Sequence, residues 1–280
     1  PAIPTLPKRS PAEAMIAQAA VGIQGFSVGP YGSIGVDVHH LDPMAPVVTD
    51  LQHDAFGGFR AFLNAAEGHT GAVKWQFVGP VTLGLAMMRA GAPASVAFEV
   101  AVRAVRSHVT ALRERVAAAM PYSTQVVFID EPSLGELMMP GFPLAPDTAI
   151  DLISGALAAI EPGAVSGLHV CGAVDVASVL AAGPDVLSVP VNTQLLDAAG
   201  YLMRFLQDGG TIAWGVVPTG GPITNSVERP WRQLSALWCD LVQLGVDPVQ
   251  LRVQSMVTPE CGLATHSPSV AESGHRITAE

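Results

Sequence analysis

"STQVVFIDEPS", Ser123–Ser133, is the stretch whose reading decides the fold. Val126 to Ile129 are apolar at every position, so a strand built from them is buried on both faces. Asp130 and Glu131 end the run. Pro132, which cannot donate to a sheet ladder, stops it. Strands of this kind belong to parallel sheets lying under helices. Working outward, "QGFSV" (Gln24–Val28), "AVKWQFV" (Ala72–Val78), "VSGLHV" (Val165–Val170) and "DVLSVPV" (Asp185–Val191) read as strands too. "TIAWGVV" (Thr211–Val217) and "LRVQSMV" (Leu251–Val257) complete the set. Between them lie Ala-rich stretches with helical stripes: Ser95–Met120, Ala145–Ile160, Val174–Gly183 and Val227–Gly245.

These seven strands, each followed by a helix or loop, fall one short of a (β/α)8 barrel. The chain opens on "PAIPTLPKRSP", a loop into a helix over Pro11–Val21, which is the element that follows a first strand. The expectation is a single α/β domain over 1–280, a TIM (β/α)8 barrel whose first strand lies upstream of Pro1. An open doubly wound sheet is the alternative, but no Gly-rich dinucleotide turn follows the first strands.

Composition narrows the function classes. The chain has 280 residues, a formal net charge of −10 and only 14% charged residues. No basic stripe is present, which argues against nucleic acid and anionic membranes as partners. No apolar run reaches the roughly 18 residues that span a bilayer. Three scattered cysteines, Cys171, Cys239 and Cys261, are too few for a disulfide framework and point to reduced thiols in the cytoplasm. Cys239 reads as a buried core thiol, and Trp75 and Trp214 as packing residues.

In a parallel barrel, chemistry gathers at the C-terminal ends of strands. Three strand ends stand out. Asp130 and Glu131 alternate, so one faces the mouth and the other meets a loop or helix; a helix-capping acid is the competing reading. "HVCG" sets His169 and Cys171 on one side of a strand, an imidazole and a thiol that zinc accepts as a pair. Alone, that pair is more often the mark of a buried core. "VTPECGLA" (Val257–Ala264) follows the last apolar strand and brings Cys261 to the same mouth, where Gly262 allows a tight turn. Three soft ligands with an open position are the layout of a catalytic zinc, and thiolate-rich coordination suits alkylation of a thiol. His39 and His40 are adjacent and so point apart. Of the remaining histidines, only His266, shortly after Cys261, merits testing.

Together these elements resemble the C-terminal catalytic domain of cobalamin-independent methionine synthase, within the uroporphyrinogen decarboxylase-like superfamily. Short, single-barrel homologues of actinobacterial type are closer still. The resemblance runs through "HTGAVKWQFVGPVTLG" (His69–Gly84), "VVFIDEPSL" (Val126–Leu134), "LHVCG" (Leu168–Gly172), "IAWGVVPT" (Ile212–Thr219) and "VTPECGLA". It implies zinc-dependent transfer of a methyl group to a homocysteine-like thiol, with a methyl-folate or a corrinoid protein as donor. It assigns His169, Cys171 and Cys261 to zinc, Asp130 to the substrate amino group, and "GPVT", with Gly79 and Thr82, to the mouth. Glu131 joins Asp130 as a candidate catalytic acid.

The chain departs from the family's pattern where a fourth, acidic ligand is expected: Pro190 stands there, with Asn192 or Glu260 as substitutes. Ala17 or Gln18 stands where a second amine-binding acid is expected, and Gly220 where the family has a histidine. The competing expectations are a zinc-binding homologue that has lost catalysis and a metal-free decarboxylase-type lyase. The lyase calls for arginines at the mouth, and the strand-end loops carry few.

Overall fold

The computed structural model describes residues 1–221 and 226–279. Six strands form one parallel sheet in chain order: β3 (Val73–Val78), β4 (Gln125–Asp130), β5 (Ala164–His169), β6 (Val186–Pro190), β7 (Thr211–Val217) and β8 (Ser255–Pro259). The order has no crossovers to distant positions, and the sheet curls. Helices follow the strands: α3 (Pro80–Arg89) and α4 (Ala94–Ala119) after β3, then α5 (Pro146–Leu157), α6 (Val176–Ala181) and α7 (Ala199–Gln207). After β7 come α8 (Glu228–Gln243) and α9 (Pro248–Val253), and α10 (Pro268–Ala279) follows β8. α1 (Met15–Ala20) and α2 (Gly57–Ala65) precede the sheet. The described residues thus give the parallel, helix-covered sheet that was expected, but not an eight-stranded closure. No described helix is long and apolar enough to cross a membrane.

Three expectations are corrected. Gln24–Val28 is not a strand of this sheet. Its end, β1 (Phe26–Val28), pairs antiparallel with β2 (Ile34–Val36) in a small hairpin, and none of its three residues is buried. A short, half-exposed ribbon closed by a tight turn has the composition of a core strand without its burial. Second, Leu251–Val257 is half helix. Asp247 caps α9, accepting from the Val249 N–H at 2.6 Å, with Pro248 in the first turn, so β8 starts only at Ser255. Third, Cys239 is exposed. The buried stripe of α8 is Pro230, Leu234, Leu237 and Leu241, and position 239 falls off it. At the start of the chain, Ala2 pairs in parallel with Lys74, extending the sheet beside β3 by one bridge.

Strand alternation sorts the side chains. Trp75, Val127, Ile129, Leu168, Leu187, Ile212 and Trp214 face the helices and join the main core. The other face holds a smaller cluster of Phe128, Val186 and Ala213, flanked by Val126 and Val165. Phe128 lies flat across its neighbour strand because Gly167 has no side chain: a Cβ there would meet the ring at 2.5 Å. This ring floors the end of the sheet where Asp130 and His169 stand.

Candidate metal centre

Asp130, His169 and Ser188 form one rung across β4, β5 and β6, because the parallel register pairs Asp130 with His169 and His169 with Ser188. His169 Nδ1 and Ser188 Oγ are 2.9 Å apart, which fixes the imidazole plane and turns Nε2 toward the strand end. Nε2 lies 3.1 Å from Cys171 Sγ, and Cys171 Sγ lies 3.2 Å from Cys261 Sγ. The three donor atoms all fall within 4.8 Å of one another. One nitrogen and two sulfurs at that spacing fit a zinc ion: tetrahedral ligands at about 2.0–2.3 Å from the metal sit slightly farther apart than these contacts, a displacement that side-chain rotation supplies. The set has the donor chemistry of zinc and lacks the oxygen donors that magnesium or calcium requires.

The two thiols are in direct contact. The contact with Cys171, and then the His169 imidazole, favours a thiolate at Cys261 and lowers its pKa, while the same contact and burial push Cys171 up. The surroundings of Cys261 thus favour the thiolate, the form that ligates a metal. Asp130 is buried, and burial pushes its pKa up, with His169 and Lys74 pulling the other way. No hydrogen bond from a described residue reaches its carboxylate.

Glu131 does not join the site. It turns to the opposite side of the sheet, fully buried, and accepts from the Val81 and Thr82 N–H groups at 2.8 Å each and from the Thr82 hydroxyl at 2.6 Å. These are the orphan donors at the start of α3, so Glu131 is a helix cap supplied from β4. Burial raises its pKa to about 7 against the pull of those bonds. The "GPVT" turn is the other half of this lock. Thr82 is engaged by Glu131 and also accepts from the Ser133 N–H at 3.3 Å. A Cβ on Gly79 would meet Glu131 Oε1 at 2.2 Å. Gly79 and Thr82 thus serve the helix cap rather than the mouth.

The alternatives for a fourth ligand are also placed. Asn192 is spent on its own loop, accepting from the Gln194 N–H at 3.0 Å and donating to the Pro190 carbonyl at 3.3 Å. Glu260 contributes no atom to the cluster of donors. His266 Nε2 lies 3.1 Å from the Thr219 carbonyl, away from the sulfurs. His40 Nδ1 pairs with Asp37 at 2.7 Å in an exposed loop, and His39 is exposed beside it.

Two residues escape sequence reasoning. Ser188 is a single hydroxyl in an apolar strand, and only the register shows that it meets His169. Lys74 is the one Lys or Arg in the six parallel strands. Its ammonium is hydrogen-bonded to Gln76 and lies 5.2 Å from the centre of the Phe128 ring. Burial lowers its pKa, while Asp130 and Cys261 act to raise it. No family model and no curated protein matches the chain.

Proposed function

We propose that the protein is a zinc-dependent methyltransferase acting on a thiol, methionine synthase-like in its chemistry. The observation that carries this reading is the convergence of His169, Cys171 and Cys261, three soft donors from two strand ends on one point. When bound, zinc would lower the pKa of an incoming thiol so that it is held as a nucleophile at neutral pH. The chain's own residues supply the rest. Ser188 orients His169, Phe128 floors the mouth, and Asp130 offers a buried carboxylate to an ammonium such as that of homocysteine. The transfer forms a sulfur–methyl bond as the donor's bond to the methyl carbon breaks; the bonding pair stays on the demethylated donor, and the thiol proton passes to the donor or to solvent. A methyl-folate or a methylated corrinoid protein is the donor class.

The sheet is read as six strands of a (β/α)8 barrel, supported by its unbroken parallel order, and the reduced thiols fit a cytoplasmic protein. The lyase reading is less well supported, because the strands offer an anionic substrate one lysine and no arginine.

Metal analysis under reducing conditions tests the proposal, followed by a thiol-acceptor screen with methyl-folate and methylcobalamin. About one zinc per chain is expected, lost in Cys171→Ser and in Cys261→Ser. Purified protein without stoichiometric zinc would refute it. Zinc without methyl transfer to any thiol would leave a binding protein and refute the enzyme.

A further inference from the structure

The segment that carries Cys261 has far to travel. His169 and Cys171 lie at the end of β5, whereas Cys261 follows β8, three strands along the sheet. At about 4.8 Å between neighbouring strands, that is on the order of 14 Å of sheet end. Yet the two sulfurs meet at 3.2 Å. The curl of the sheet closes part of that gap, and the path of the chain after β8 closes the rest.

It passes over Gly215. This residue pairs with Pro190 of β6 on one side and with Thr258 of β8 on the other. A Cβ built on it would meet Glu260 Cα at 2.8 Å, Pro190 Cα at 3.3 Å and the Val189 carbonyl oxygen at 3.3 Å. All three are backbone atoms, so no side-chain rotation relieves the contact. The position needs glycine for space alone, since its φ lies outside the left-handed region. The crossing is also pinned. The β7–β8 register shifts between Gly215 and Val217, and the Glu260 N–H donates to the Val217 carbonyl at 2.9 Å. This bends the end of β8 across its neighbour.

We propose that Gly215 is the positioning residue of the metal centre. Its bare backbone is the gap through which residues 259–261 cross β7 to deliver Cys261 to His169 and Cys171. The proposal rests on the metal-centre reading above. It also accounts for Pro190. The backbone of Glu260 and the Cα of Pro190 converge over the same glycine, so a long acidic side chain at 190 would meet the crossing segment.

The test uses the full chain as wild type, Gly215→Ala, Pro190→Glu and, as a control, Gly220→Ala, where a Cβ meets no atom of the described residues within 4 Å. Two readouts are taken beside the melting temperature. One is cobalt(II) titration followed by the thiolate-to-cobalt charge-transfer band. The other is the rate at which diamide, taking up two electrons and two protons, joins Cys171 to Cys261 in metal-free protein. Gly215→Ala is expected to weaken cobalt binding by about 10–100-fold, the usual effect of disturbing what holds a ligand, and to slow the disulfide. Gly220→Ala should match wild type in both. Wild-type cobalt affinity and disulfide rate in Gly215→Ala would overturn the proposal. If Gly215→Ala fails to fold, Pro190→Glu decides, because it adds bulk at the same crossing from β6. Weaker cobalt binding supports the crossing, and unchanged or tighter binding overturns it. A wild type that takes up neither zinc nor cobalt would refute the metal reading, and the disulfide rates alone would then judge Gly215.

Discussion

His108 offers a stability measurement whose sign and size follow from its surroundings. It is fully buried on α4, against the rings of Phe56 and Phe77. Nδ1 lies 2.9 Å from the Thr49 hydroxyl and Nε2 lies 3.2 Å from the Ala19 carbonyl. A neutral ring with its proton on Nε2 satisfies both contacts: it donates to Ala19 and accepts from Thr49. Burial drives the folded-state pKa from 6.5 down to about 4, with the backbone bonds opposing. The unfolded chain therefore takes up this proton first as pH falls. Stability from the neutral ring is complete above pH 6.5 and is lost as pH falls toward 4. The lost stability is about 3 kcal/mol, from 1.36 kcal/mol per pKa unit. At this chain length that is roughly 6 °C in melting temperature. Asp130 and Glu131 act in the opposite direction, since their raised pKa values make the folded state gain stability as they protonate. The raw pH profile therefore mixes both signs, and a difference isolates His108. Urea unfolding of wild type and His108→Gln is compared at steps from pH 7.5 to 4.5. The gap between them should shift against wild type by about 2–3 kcal/mol over that range. A gap constant to within about 1 kcal/mol would show that the buried ring is not held neutral.

Three further outcomes separate structure from chemistry. Glu131→Ala strips the cap from α3 and should cost about 2–5 kcal/mol in urea unfolding, while the folded fraction keeps its zinc; lost zinc at unchanged stability would return Glu131 to the site. Asp130→Asn should leave zinc content intact and weaken an amine-bearing thiol by about tenfold, roughly one charged hydrogen bond. A thiol without an amine should be unaffected, as read by calorimetry. Ser188→Ala frees the His169 ring and should lower zinc affinity by about 10–100-fold in a chelator competition.

How far the residues announced this arrangement depends on how local each cue is. The parallel strands were legible because apolar runs such as Val126–Ile129 imply burial on both faces wherever they sit. Phe26–Val28 misled because three residues carry too little pattern to tell a hairpin from a core strand. Leu251–Val253 misled because the cap at Asp247 outweighs their β-branched neighbours. At the site, His169, Cys171, Cys261 and Asp130 could be picked out by residue type and strand-end position. A helix-capping acid was among the readings of Asp130 and Glu131, but which helix it caps, and the parts of Gly79 and Thr82 in it, could not be read, since the cap joins residues about 50 positions apart. Ser188 and Gly215 are defined by what the adjacent strand places beside them, which no single stretch of chain records.

The ligand order along the chain has a consequence for biosynthesis. His169 and Cys171 are made first, and Cys261 follows 90 residues later, near the C-terminal end of the described chain. A ribosome-bound chain that has made β5 and Cys171 holds only two of the three donors. On the metal-centre reading, loading then waits until Cys261, beyond β8, has left the ribosome tunnel. A product ending anywhere between 172 and 260 would carry His169 and Cys171 without Cys261, so on the metal-centre reading zinc content reports whether the chain extends past β8 as well as whether it is folded.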